Sequence, residues 1–232
     1  MGMKADGDPD LHEIDRFGRG VGWIAHPDEG MERASHAVAV PNEESETDDV
    51  WVFDPVDAPG VDDLLAELGT VAGVAVGLDR HKRDSAAIAA RHDAPVYVAE
   101  WMTGVADELD ASVERFGSRL ADSGFEAVRV RDSTVPPWQE AGFFDGETLI
   151  VPESLGSAPY FRGERERLGV HPMLRLTPPA EALSGLNPER VRVGHGVGVD
   201  ERAALAVEDA LSGSRRKAPR LYTQTLRSAI GI

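Results

Sequence analysis

The feature that most constrains the fold is an uninterrupted apolar run, residues 71–78 (VAGVAVGL), which ends abruptly in Asp79-Arg80-His81-Lys82-Arg83-Asp84. The run is far shorter than the ~20 residues a membrane span needs, and it lacks the polar stripe of a surface helix. It suits a strand buried on both faces, the kind found in sheets covered by helices. Loops at the C-terminal ends of such strands are where α/β proteins gather chemistry. This loop places an imidazole, two carboxylates and three cations in six positions, so it marks a candidate site as well as a fold class.

The rest of the chain supplies neighbours for that strand. Residues 20–25, 34–40 and 50–53 read as strands, rich in Val and Trp and bounded by Pro, Gly and acidic turns, with 41–49 as a charged hairpin loop. Residues 61–68 are expected as a short helix stopped by Gly69, and 86–91 as a second helix capped by Asp84 or Ser85. Residues 95–99 follow as a strand. Leu109, Val113, Phe116 and Leu120 recur at helical spacing and predict an amphipathic helix over 105–123. Strands are expected at 127–131, 148–151 and 191–193, then a helix over 201–211 with Asp200 as N-cap and Gly213 as its stop. Residues 1–10 read as a flexible acidic leader, 11–213 as one α/β domain, and 214–232 as a basic tail.

Charge narrows the partners. Asp and Glu number 41 against 24 Lys and Arg, a formal charge of −17, and lysine occurs only at Lys4, Lys82 and Lys217. Such a surface repels nucleic acid and anionic membrane, and neither is expected as a partner. The composition is similar to that of proteins from salt-loving microbes, where concentrated salt screens the repulsion. With no cysteine there are no disulfides or thiolate metal sites, and the start of the chain has no apolar signal segment, so a cytoplasmic protein is expected. The tail breaks the pattern: from Ser214 onward it has no acid but carries Arg215, Arg216, Lys217, Arg220 and Arg227, suited to docking on the acidic body or on a second copy of the chain.

Two further strand ends carry chemistry. Glu153 follows the 148–151 strand, and His195 follows 191–193 within Gly194-His195-Gly196. His81 and His195, with Asp79, Asp84 and Glu153, offer nitrogen and oxygen ligands of the kind that suit zinc, manganese or iron. His171 can reach the same cleft from its loop, with Asp54 and Trp138 at the rim. Each has an ordinary alternative: His81 as a turn residue bonded to backbone, His195 as part of a glycine-rich turn, and Trp101, Trp138, Tyr160 and Phe161 as core rings. His92 is explained by a helix C-terminus, and His12, His26 and His36 have no ligand spacing. There is no Gly-x-Ser-x-Gly elbow and no phosphate loop.

Across most of residues 20–213 the chain resembles the metallo-β-lactamase fold superfamily. That family's metal loop follows a buried strand and reads His-x-His-x-Asp-His. Here the loop keeps His81 but has Asp79, Arg83 and Asp84 at the other three positions. The family's Asp-bearing turn is matched by Asp54, its bridging aspartate by Glu153 and its late histidine by His195. Its Pro-Gly-His-Thr-like turn is matched by Val135-Pro136-Pro137-Trp138, which has no histidine. The resemblance implies a four-layer αββα sandwich with a degenerate site. Two readings follow. In one, the protein is non-catalytic or ligand-binding, takes a small molecule or a second copy of itself, and holds no metal; Arg83 pairs with Asp79, Asp84 or Glu153 in the metal's place. In the other, one divalent ion sits on His81, His195 and a carboxylate and serves hydrolysis of a small ester, thioester or amide.

Overall fold

The computed structural model describes residue 3 and residues 7–163 and 165–230, with side chains described as far as residue 219. Half of the acidic leader (residues 1, 2 and 4–6) lies outside the described residues, and so do the side chains of Arg220 and Arg227.

Two mixed sheets face one another. The first has seven strands in chain order: β1 (His12–Phe17), β2 (Gly20–Ile24), β3 (Ala34–Val40), β4 (Asp49–Phe53), β5 (Thr70–Val76), β6 (Val96–Ala99) and β7 (Val113–Phe116). Strands β1 to β4 are antiparallel, while β4 to β7 run parallel. Parallel neighbours need crossover connections, and helices α1 (Val61–Ala66) and α2 (Ser85–Arg91) provide two of them, packing on β5. The second sheet contains β8 (Glu126–Thr134), β9 (Pro137–Phe144), β10 (Thr148–Val151) and β13 (Arg190–Val193), in the order β13-β10-β9-β8. A small ribbon pairs β11 (Leu155–Gly156) with β12 (Gly169–Val170). Helix α3 (Ala180–Leu183) packs on β8, and the long α4 (Ala203–Ile230) packs on β12 and β13.

The layers follow from side-chain alternation. On β10, Ile150 joins the core between the sheets with Phe53 of β4 and Phe143 of β9, whose rings lie 5.0 Å apart. Its neighbours Leu149 and Val151 point the other way, onto Val207, Ala210 and Leu211 of α4. A strand buried on both faces is therefore an unbroken apolar run at Leu149-Ile150-Val151, the pattern that 71–78 also shows. The order helix, sheet, sheet, helix is the αββα sandwich. Among the described residues no helix is long and apolar enough to cross a membrane.

Three expectations are corrected. Residues 105–123 form no amphipathic helix: one short 3-10 turn, Ala106–Glu108, precedes β7, which pairs in parallel with β6. The recurrence of Leu109, Val113 and Phe116 is a coincidence of spacing, and Phe116 instead packs in the inter-sheet core beside Trp101 and Phe143. Gly213 does not stop α4, which continues through the basic segment to Ile230. That continuation is anchored, since Ser214 Oγ donates to Arg175 O at 2.8 Å, Arg215 Nε donates to Leu176 O at 3.0 Å, and Ala218 is buried. Trp138 lies within a strand, β9, which the turn-like Pro136-Pro137 pair had obscured.

Candidate metal centre

Each site residue follows a strand. Asp54 follows β4, His81 lies in the turn after β5, Glu153 follows β10 and His195 follows β13. The two sheets are tied at this edge, where Ala34 N–H donates to Gly194 O at 2.9 Å and Arg33 bridges His195. Gly194 is required there: a Cβ would lie 2.0 Å from the carbonyl oxygen of Pro152. Asp54 adopts a left-handed conformation (φ 46°), a strained state for a non-glycine residue of the sort that collects at functional sites. Its Oδ1 accepts from Gly77 N–H at 2.8 Å, which fixes the carboxylate against the end of β5.

His81, Glu153, His171 and His195 are all buried and meet around the Glu153 carboxylate. The hydrogen positions can be deduced. His195 Nδ1 lies 2.9 Å from the carbonyl oxygen of Met31, which can only accept, so Nδ1 carries the hydrogen and the neutral ring presents a lone pair at Nε2. That Nε2 lies 2.7 Å from Glu153 Oε2. His81 repeats the arrangement, with Nδ1 3.2 Å from Asp54 Oδ2 and Nε2 2.9 Å from the same Glu153 Oε2. Two lone pairs and a carboxylate oxygen therefore point at one another. Acceptors so placed in a buried site require positive charge among them, as added protons or as a metal ion.

His171 has the opposite tautomer. Met173 N–H donates to its Nδ1 at 3.2 Å, so its Nε2 carries the hydrogen, 3.3 Å from Glu153 Oε1. His171 is thus a donor to the far oxygen of Glu153, framed by the rings of Trp138, Tyr160 and Phe161. Phe161 also stacks on His195 at 5.1 Å. Trp101 lies apart, against Phe116 and under Arg129.

Electrostatics follow this geometry. Burial alone would raise the Glu153 pKa, but the neighbouring His195 and His81 imidazoles outweigh it and hold the carboxyl well below its usual range. Burial pushes His195 down against the pull of Glu153. It pushes His171 down to about 4, again against Glu153.

Sequence reasoning missed Glu140, which sets the turn that carries Glu153. It is completely buried, and Oε1 accepts from the backbone N–H groups of Glu153 and Ser154, each at 2.8 Å. Its Oε2 accepts from Trp138 Nε1–H at 2.8 Å and from the Ser154 hydroxyl. Desolvation raises its pKa against these four donors. An acid on the same strand face as Trp138, amid apolar neighbours on β9, was the available signal.

The other loop positions have structural tasks. Asp79 Oδ2 accepts from Gln139 N–H at 3.0 Å and Oδ1 from Arg80 at 3.1 Å, so Asp79 ties the loop to β9. Asp84 sits at the N-cap of α2, but its side chain accepts from Asp57 N–H at 2.8 Å rather than capping the helix. The pairing of Arg83 with Asp79, Asp84 or Glu153 is not what the structure has. Its guanidinium donates to the carbonyl oxygens of Ala34 and Asp54, both at 2.7 Å, and of Gly194 at 3.1 Å. Three chain segments turn carbonyls toward this corner, and a planar fork of donors bonds to all three. Burial lowers the pKa of Arg83, while Asp54 and Glu153 act in the opposite direction.

The donor set suits an ion. The ligand atoms of His81, Glu153 and His195 lie within 4.8 Å of one another, and each imidazole is oriented through its other nitrogen by a carboxylate or a carbonyl, the usual arrangement around metal-binding histidines. Two nitrogens and one oxygen fit zinc, manganese or iron, with a coordination position left over.

No family model and no curated protein matches the sequence. Solved structures do match. The DIM-1 metallo-beta-lactamase superposes with a TM-score of 0.58 at 12% identity, covering 91% of this chain and 98% of that one. A diflavin flavoprotein fragment from Nostoc sp. PCC 7120 gives 0.63 at 13%, covering 91% and 99%. A mutant flavo di-iron protein from Thermotoga maritima gives 0.62 at 12%, covering 90% of this chain and 63% of that one. On this likeness and its own layered architecture, the chain has the metallo-β-lactamase fold.

Proposed function

We propose that this protein binds one divalent ion at His81, Glu153 and His195 and hydrolyses a small ester, thioester or amide. The observation that carries the reading is the shared Glu153 Oε2, faced at 2.7 and 2.9 Å by two imidazole nitrogens whose own hydrogens are committed elsewhere. His81 and His195 would ligate through Nε2 and Glu153 through Oε2. A bound ion supplies Lewis acidity and lowers the pKa of water toward ~7. Asp54 and the Met31 carbonyl hold the two rings in the ligating tautomer. His171 holds the second Glu153 oxygen through Nε2–H, and Glu140 fixes the Glu153 turn. Trp138, Tyr160 and Phe161 frame His171, and Phe161 also stacks on His195, giving that side of the centre an apolar wall.

A second reading keeps the same geometry with protons in place of the ion, as a non-catalytic, ligand-binding member of the fold. Arg83 favours it, because a permanent cation beside Glu153 and Asp54 supplies some of the charge that an ion would otherwise bring. The two readings separate in an esterase and thioesterase assay on protein loaded with zinc, manganese or iron. Metal-dependent turnover that is lost in His81→Ala supports the hydrolase. No bound ion and no turnover with any of the three leaves the ligand-binding reading.

A further inference from the structure

We propose that a second site, on the α4 face and independent of the histidine centre, binds a small phosphate-bearing anion. A cavity of about 230 Å³ opens between the loop after Phe161 and the start of α4, and Arg165, Arg167, Arg202 and Lys217 line it. The acids in its wall are Glu166 and Asp209. Glu166 is already neutralised from beneath, since both its oxygens are held by the buried guanidinium of Arg175, at 2.8 and 3.2 Å.

Most described arginines of the molecule hold a carboxylate or a carbonyl oxygen. In a chain with 41 acids and 24 basic residues, an arginine should readily find a carboxylate. Arg16, Arg19, Arg33, Arg91 and Arg192 all do so. Others, such as Arg83, Arg115 and Arg162, donate to carbonyl oxygens, whereas the side chains of Arg165, Arg167 and Arg202 make neither an ion pair nor a hydrogen bond with any described residue, yet they line one concavity. With Asp209 the one wall acid that Arg175 does not already hold, the gathered cations outnumber their counter-charge and repel one another, and an anion relieves that repulsion. Guanidinium groups match phosphate oxygens in paired, parallel hydrogen bonds, and a cavity of this size accommodates one or two phosphate groups.

The test is calorimetric titration of the full chain with inorganic pyrophosphate and with orthophosphate, at constant ionic strength set by potassium chloride. The expected result is saturable binding of pyrophosphate, weakened at least tenfold in the Arg167→Ala/Arg202→Ala double variant and unchanged in Arg91→Ala. Arg167 and Arg202 are exposed, so the double variant should fold, and circular dichroism checks this. The Arg165→Ala variant provides a second, separately folded test, with weakened binding again expected. Heats no larger than those from added chloride, or equal affinity in wild type and the arginine variants, would overturn the proposal. Zinc binding at His81 and His195 is indifferent to either outcome.

Discussion

Glu166 and Glu153 are both buried carboxylates among basic side chains, and they differ in what their partners leave over. Around Glu166 every partner donates: Arg175 grips both oxygens, and Gly163 N–H adds a bond at 2.7 Å. Arg175 is satisfied in turn by the carbonyls of Val170 and Phe161. Around Glu153 two of the three imidazoles present lone pairs instead, because their N–H groups are committed to Met31 and Asp54. A polar cluster whose donors and acceptors balance serves architecture. One that is short of positive charge must take it up, as protons or as an ion.

The comparison can be broken first at the closed cluster. Arg175→Met strands Glu166 with Lys217 and one backbone donor, and should cost about 3–5 kcal/mol in urea unfolding, while leaving metal binding at the other cluster intact. A loss below ~1 kcal/mol would mean that the Glu166 pair is not structural.

A pH series sharpens the contrast next. His36 is a third buried polar group: its Nε2 lies 2.9 Å from Val193 O, its Nδ1 has no partner among the described residues, and burial pushes its pKa down to about 4. The unfolded chain, with a histidine near 6.5, takes up the proton first. His36 therefore leaves stability intact above about pH 6.5 and removes on the order of 3 kcal/mol as the pH falls to about 4. Urea midpoints measured across that range should slope less in His36→Leu than in wild type. Identical slopes would show that His36 protonates without cost in the folded state.

The smallest expected effect is at Glu140. In Glu140→Gln an amide nitrogen must face donors that the carboxylate accepted, at a cost of about 1–3 kcal/mol. Because Glu140 sets the Glu153 turn, metal affinity should fall as well. Stability lost with affinity unchanged would separate that turn from the centre.

Much of this was legible in the sequence. The unbroken apolar run, the strand ends at Glu153 and His195, and the Asp54 turn place the centre, because a period-2 pattern fixes which residues a sheet presents at its edge. What escaped was set by packing between distant segments. The Leu109, Val113 and Phe116 spacing fits a helix as well as it fits a loop and strand, and only the free edge of β6 decides between them. Glu140 is one acid in an otherwise plain strand, and its four donors come from its own strand and from the turn after β10. The tautomer of His171 depends on Met173, two residues away in a turn that its sequence does not announce. Arg83 was expected to meet a carboxylate because charge is visible in a sequence, whereas the three carbonyls it meets are not.

The most direct measurement is the metal content of the purified chain after equilibrium dialysis against zinc or manganese, alongside His195→Ala, Glu153→Gln and Arg175→Met. About one ion per chain is expected in wild type and in Arg175→Met, and none in the two centre variants, as three-ligand sites require. No ion in wild type, or an ion retained without His195, would contradict the account.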